Sequence, residues 1–205
     1  MIKIYHAPGT RGYRVIWLCE ELGTPYRVEP VDMSPAYRSS PEWRRMNPVG
    51  KVPVMTDGEL TLFESGAMLQ YVLDRYGGGR LQPARGTAAH GLYLQWCWFA
   101  EATFARPLGE MVNHRRAFPG QEVPAVIDEM AGRARLCLEA VERALAANSH
   151  LLGDAFCAAD IMMGYTLRSC RRLLCEPLPA RVRAYWARLA ARPAFAATEA
   201  ADKRI

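Results

Sequence analysis

Two short segments in the first third of the chain carry the residues best suited to chemistry: Gly50-Lys51-Val52-Pro53-Val54 and Leu62-Phe63-Glu64-Ser65-Gly66-Ala67. The first reads as a turn that feeds a strand through an X-Pro bond. The second reads as a strand end that opens a helix with an acid and a hydroxyl. A rigid backbone edge can pair with an extended peptide as an added strand would. The first-turn N–H groups of a helix can hold a carboxylate. A ligand that suits both is a small anionic peptide.

The elements that must position these residues sit in a chain of 205 residues, half of them hydrophobic. That length allows one domain or two small ones with a substantial core. The net charge is +5. A local basic cluster, Arg168, Arg171 and Arg172, reads as a solvated helix face, because no base-stacking motif or basic tail accompanies it. No nucleic-acid partner is expected. The start, Met1-Ile2-Lys3-Ile4-Tyr5, is a strand pattern rather than a secretory signal. No apolar run approaches the roughly 20 residues of a membrane-spanning helix. The expectation is a cytoplasmic protein with no membrane partner. Six cysteines contain no Cys-x-x-Cys pair and read as reduced, mostly buried thiols. Four scattered histidines show no ligand spacing, so no metal is expected.

Residues 1–76 alternate strand and helix patterns. Ile2–Tyr5 is a short apolar strand, followed by a turn at Ala7-Pro8-Gly9-Thr10. Val15, Leu18, Cys19 and Leu22 recur at helical spacing up to Gly23. Tyr26–Val31 is a second strand, parallel to the first because a helix joins them. A short helix is predicted at Pro41–Met46. Val52–Thr56 and Leu60–Leu62 flank Asp57-Gly58, a hairpin signal. Leu69, Val72, Leu73 and Tyr76 form a further helix. The order predicts a mixed four-stranded sheet in an α/β domain over 1–77, a linker over 78–86 and an all-helical domain over 87–205. Residues 87–117 are unusually aromatic and should be interrupted by Pro107.

The whole chain resembles the cytosolic glutathione transferase family, in its bacterial form: a thioredoxin-like N-terminal domain followed by an all-helical C-terminal domain. Four segments carry the resemblance, in order. Ile4-Tyr5-His6-Ala7-Pro8-Gly9-Thr10-Arg11-Gly12-Tyr13-Arg14-Val15 is similar to the first strand and active-site loop. Asn47-Pro48-Val49-Gly50-Lys51-Val52-Pro53 looks like the N-P-x-G-x-V-P element. Leu62-Phe63-Glu64-Ser65 looks like the E-S element. Gly153-Asp154-Ala155-Phe156-Cys157-Ala158-Ala159-Asp160 resembles the start of the core helix of the second domain.

The resemblance implies glutathione as co-substrate and no metal. In the family, a loop residue after the first strand donates a hydrogen bond to the glutathione sulfur. A free thiol titrates near 8.5, so a donor and a helix N-terminus aimed at sulfur favour the thiolate. The best match is Thr10, which is equally suited to cap the following helix. Tyr5 and Arg11 compete as phenolic donor and positive charge. No cysteine occupies this loop, which argues against a mixed disulfide at the site. Pro53 matches the family's cis-proline, which turns Val52 toward the cysteinyl backbone of glutathione. Lys51 is placed to meet a ligand carboxylate. Ser65 would hold the γ-glutamyl carboxylate and Glu64 its ammonium. Cys157 stands where the family has a serine or threonine cap, which puts the capping box with Asp160 in question.

The same resemblance places an electrophile pocket between the domains. Phe99, Phe104, Met111 and His114 are its candidate lining residues, with Trp96 beside them, and an aromatic stripe at helical spacing is equally a core signature. The implied activity is glutathione S-transferase: thiolate attack on an apolar or aromatic electrophile, in a detoxifying homodimer. The alternatives are glutathione-dependent disulfide reduction and a non-catalytic binding module of the same fold.

Overall fold

The computed structural model describes residues 1–204. In β1 (Ile2–His6) the side chains alternate, with Ile2, Ile4 and His6 buried and Lys3 exposed. The crossover helix α1 (Gly12–Leu22) returns the chain to β2 (Tyr26–Pro30), which pairs parallel to β1. Gly23 ends α1 in the left-handed conformation, with φ 66°. Two Ser-Pro steps then start two short helices, α2 (Pro35–Ser39) and α3 (Pro41–Met46), where one was expected. Each serine accepts from an N–H in the helix it caps, and each proline supplies the first helical residue. β3 (Val54–Asp57) and β4 (Leu60–Phe63) form the expected hairpin, and the sheet order is β2-β1-β3-β4. Helix α4 (Ser65–Tyr76) follows β4 directly. This is the thioredoxin-like unit.

The chain divides into two compact units, and the first holds residues 1–81 together with those from 190 onward. The last helix, α10 (Pro193–Lys203), therefore belongs with the sheet, not with the helical unit to which the sequence assigned it. Its side chains give the reason. Phe195 packs edge-on against Trp17 and Tyr13 of α1, and Arg192 forks onto both carboxylate oxygens of Glu21 at 2.6 and 2.8 Å. Helix α1 is covered on nearly every face as a result, with Gly12 to Cys19 all buried.

Asp57, at the end of β3, accepts from Tyr76 and Tyr71 of α4, and Arg75 lies 3.6 Å away. The Tyr76 hydrogen bond is the main cause that holds this carboxyl below its usual range. A depressed folded-state value adds stability above the unfolded carboxyl range, lost as pH falls through the folded value. Asp57→Asn should therefore lower the melting temperature at neutral pH. The gap to wild type should narrow progressively in melts as pH falls below the ordinary carboxyl range. A gap of constant size across that range would exclude the ionised carboxylate as its source.

The second unit, residues 82–189, holds α5 (Ala88–Trp98), α6 (Ala105–Ala117), α7 (Pro124–Ala144), α8 (Ala158–Leu174) and most of α9 (Ala180–Ala190). Between α5 and α6 the backbone widens into a π-helical turn, Phe99–Phe104. Pro107 lacks an N–H and crowds the carbonyl one turn back, which accounts for the interruption expected there. Thr166 of α8 donates to the Ala100 carbonyl inside the π turn at 3.0 Å.

At the start of α8 the capping box is intact despite the cysteine. Asp160 Oδ2 accepts from Cys157 N–H at 2.8 Å, and the Cys157 sulfur accepts from the N–H groups of Ala159 and Asp160. The carboxylate arm holds the box closed where the thiol is a weak acceptor. Among the described residues no helix is long and apolar enough to cross a membrane, and no cluster of metal-ligating side chains occurs.

Candidate active site

The turn before β3 is built by Asn47, buried at 3 % exposure. Its Nδ2 donates to Lys51 O at 3.0 Å and its Oδ1 accepts from Val49 N–H at 3.1 Å. Gly50 has φ 64°, and a Cβ there would lie 2.3 Å from Arg38 O, so only glycine fits. Arg44 adds a bond to Pro48 O at 2.9 Å. The turn presents Lys51 exposed and Val52 half-buried ahead of a buried Pro53, and the Val52-Pro53 peptide bond is cis.

Glu64 precedes α4 with φ 75° and ψ 108°, a conformation a non-glycine residue adopts at a cost of about 1–3 kcal/mol. Its side chain is exposed, while Ser65, the first helical residue, is buried. The opening N–H groups of any helix lack intrahelical acceptors, so this end of α4 offers donors. Beneath it lies Arg14 of α1, with no exposed surface, whose Nη1 donates to Ser65 Oγ at 3.1 Å. A fully buried guanidinium is rare in a fold unless it is partnered. The sequence reading passed over Arg14. Its usable signal in the sequence is its place on the apolar stripe of α1, four residues before Leu18.

Thr10 does not cap α1. The cap position is Arg11, in helical conformation and with no side-chain bond to the helix. Instead Thr10 Oγ1 donates back to Ala7 O at 2.8 Å and lies 3.1 Å from Nδ1 of His6. His6 has no exposed surface, and its Nε2 is 2.8 Å from Oδ1 of Asp202 on α10. The same oxygen accepts from Gly9 N–H at 2.9 Å. A Cβ on Gly12 would lie 2.4 Å from His6 Nδ1, so the first residue of α1 must be glycine for the imidazole to fit. Tyr5 packs against Trp43, with ring centroids 6.2 Å apart, as a strand residue should. Cys19 is buried in α1, and burial pushes its thiol up to about 12, so it is unsuited to act as a nucleophile.

Two of the expected electrophile-lining residues are corrected. Phe104 and Met111 are at 0 % and 1 % exposure within the core of the helical unit, so neither presents a surface to a ligand. Phe99 keeps part of its surface and packs edge-on against Trp96. His114 is engaged locally: its Nε2 accepts from Val123 N–H at 2.9 Å and its ring lies against Phe118. A groove in this unit is lined by Thr103, Arg106, Glu110, Arg133, Leu136 and Cys137, and none of the four expected residues lines it.

Residues 1–74 match the family described as glutathione S-transferase, N-terminal domain. Glutathione S-transferase 3 of Zea mays is 31 % identical over 210 residues, covering 98 % of this chain and 94 % of the maize protein. The disulfide-bond oxidoreductase YfcG of Escherichia coli is 29 % identical over 168 residues, covering 78 % of this chain and 76 % of that one. Among solved structures, the glutathione transferase URE2P6 of Phanerochaete chrysosporium, in complex with oxidized glutathione, superimposes with a TM-score of 0.89 at 25 % identity. That match covers 98 % of this chain and 96 % of the fungal one. The maize and fungal matches each cover 98 % of this chain, and so reach both of its units. The chain belongs to the glutathione S-transferase family.

Proposed function

We propose that this protein binds glutathione at the sheet unit and ionises its thiol for attack on an electrophile. The carrying observation is the buried Arg14 held against Ser65 at the N-terminus of α4. A buried cation and a helix N-terminus converge there, the environment a γ-glutamyl carboxylate requires. Ser65 N–H and the adjacent amides receive that carboxylate, and Glu64 faces the ammonium. Val52 offers its backbone N–H and C=O to the cysteinyl residue, and Lys51 meets the glycyl carboxylate. The sulfur then lies against the Ala7–Arg11 loop, where Thr10 is its hydrogen-bond donor. Binding both reactants supplies proximity, and the thiolate supplies the nucleophile. An apolar or aromatic electrophile is supported by Phe99, which keeps part of its surface beside Trp96.

An ultraviolet difference titration of the glutathione complex against pH tests this reading. Wild type should show thiolate well below the free thiol value near 8.5. Thr10→Ala should move the bound value back by about 1–2 units, since a hydrogen bond to a charged group contributes ~1.5–3 kcal/mol. An unmoved value in Thr10→Ala would transfer the role to Arg11 or the loop amides. No thiolate in wild type at saturating glutathione would reject activation and leave a binding module of this fold.

A second reading, glutathione-dependent disulfide reduction, is favoured by the likeness to the Escherichia coli disulfide-bond oxidoreductase and by a threonine, Thr10, at the donor position. In that reading glutathione itself supplies the attacking sulfur. Parallel assays with an aryl halide and a small disulfide separate the two.

A further inference from the structure

We propose that the buried Asp202–His6 pair takes up the proton that the glutathione thiol loses, with Thr10 as the relay. This rests on the reading of Thr10 as the sulfur's partner. The arrangement is a chain of three side chains from three elements: Asp202 at the end of α10, His6 at the end of β1, and Thr10 in the loop before α1. Asp202 Oδ1 accepts from the Gly9 amide, so it acts as an acceptor there. His6 Nε2, 2.8 Å from that oxygen, therefore carries a proton and donates it. A neutral imidazole protonated at Nε2 leaves Nδ1 with a free lone pair. Nδ1 lies 3.1 Å from Thr10 Oγ1, so the one hydroxyl proton of Thr10 has two acceptors within reach, Ala7 O and this nitrogen.

The proton balance closes within these groups. The sulfur–hydrogen bond breaks, its electron pair stays on sulfur, and its proton passes to Thr10 Oγ1. Thr10's own proton passes to His6 Nδ1 after rotation about the Cβ–Oγ bond away from Ala7 O, its acceptor in this structure at 2.8 Å. The products are a thiolate, a hydroxyl that again carries one proton and can donate it to the sulfur, and an imidazolium beside the Asp202 carboxylate. No further reactant is consumed. The charge pattern explains why a carboxylate is placed here. It offsets the imidazolium at Nε2 while the thiolate develops beyond Nδ1.

Burial supplies the distinctive consequence. His6 has no exposed surface and Asp202 is at 3 %, so a proton placed on the ring is held by the adjacent carboxylate rather than by water. Gly12 removes any side chain from between the ring and the start of α1, which keeps Nδ1 directed at the loop. The pair are positioning and proton-holding residues. The group that touches the sulfur is Thr10.

The experiment counts protons. Glutathione is titrated into the wild-type protein by calorimetry near neutral pH, in two buffers of different ionisation enthalpy. The thiolate band is measured on the same complexes. A free thiol is only a few per cent ionised under these conditions, so protons must move if thiolate forms. The expected result is thiolate with much less than one proton released to buffer per thiolate. In His6→Gln and Asp202→Asn the thiolate fraction at that pH should fall about tenfold or more, and whatever thiolate remains should release a full proton. Thr10→Ser should restore the wild-type pattern where Thr10→Val does not. One proton released per thiolate in wild type would overturn the inference and leave glutathione activation standing. No thiolate in wild type would take the activation reading down with it. Retention of the proton in Asp202→Asn would remove Asp202 from the chain. The wild-type count does not depend on any variant folding.

Discussion

Arg14→Met should leave the protein folded and remove most of its affinity for glutathione. The two halves of this expectation come from the same burial. Arg14 has no exposed surface, so its guanidinium gains no solvation from bulk water in the unliganded protein. Replacing the buried guanidinium by an apolar side chain of similar volume removes its desolvation cost, which offsets part of the loss of its bond to Ser65. The melting temperature should therefore fall only modestly. Binding should respond differently. A carboxylate at the N-terminus of α4 would lie over Ser65, whose Oγ receives Arg14 at 3.1 Å, and the low dielectric around a buried cation strengthens its field at that point. Truncating one partner of a buried charge pair costs ~2–5 kcal/mol of binding. The dissociation constant should rise at least about 30-fold. Arg14→Lys should recover little, because a point charge on a flexible stem does not reproduce a planar fork held against a hydroxyl. Calorimetric titration with a thermal melt on the same sample decides it. Affinity within about threefold of wild type would show that Arg14 serves folding alone, and the carboxylate would then be held by the helix amides and Ser65.

How much of this was legible beforehand depends on the range of each interaction. Periodicity is local, so Ile2 and Ile4 of β1, the Val15-to-Leu22 stripe of α1 and the Asp57-Gly58 hairpin could be read from neighbours in sequence. The Asn47-to-Pro53 turn and the Glu64-Ser65 helix start were also local, as short motifs. The support beneath them was not. Arg14 meets Ser65 across 51 residues, and His6 meets Asp202 across 196. In isolation Asp202 is an acid in the last turn of a helix, where the dipole argues against it, and nothing local reveals that it closes onto the first strand. Helix α10 was misplaced for the same reason, since its amphipathic pattern states that one face is buried but not against what. The aromatic stripe of 87–117 failed differently. Core and pocket residues share one helical period, and only the structure puts Phe104 and Met111 inside. Thr10 lies between the two cases. Its place in the loop was visible, but its hydroxyl faces Ala7 and His6 instead of capping α1, because Arg11 takes the cap position.

Asp160→Ala should destabilise the protein more than any change at the glutathione site. Asp160 is fully buried at the start of α8 and gathers three donors from separate segments. Its carboxylate accepts from Cys157 N–H at 2.8 Å, Leu151 N–H at 3.1 Å and Tyr185 Oη at 2.7 Å. Burial, then the charge of Asp160, pushes the Tyr185 hydroxyl well up, so it stays a neutral donor. Alanine removes the one acceptor that all three donors share, at a position with no exposed surface. Each buried unsatisfied donor costs ~1–3 kcal/mol, so three cost about 3–9 kcal/mol, comparable with the whole stability of many domains. At this chain length that corresponds to a fall in melting temperature of roughly 6–36 °C. Asp160→Asn keeps the shape but turns an amide N–H toward donors, so it should fall between wild type and alanine. A drop of less than about 3 °C for alanine would mean that the three segments are held by packing alone. The contrast with Arg14 is chemical. At Asp160 the fold donates to the charge and depends on it, whereas at Arg14 the charge donates and, in the proposed function, a ligand depends on it. Removing the first leaves three buried donors of the protein without their shared acceptor, and removing the second takes a donor from Ser65 and, in the proposed function, from the ligand.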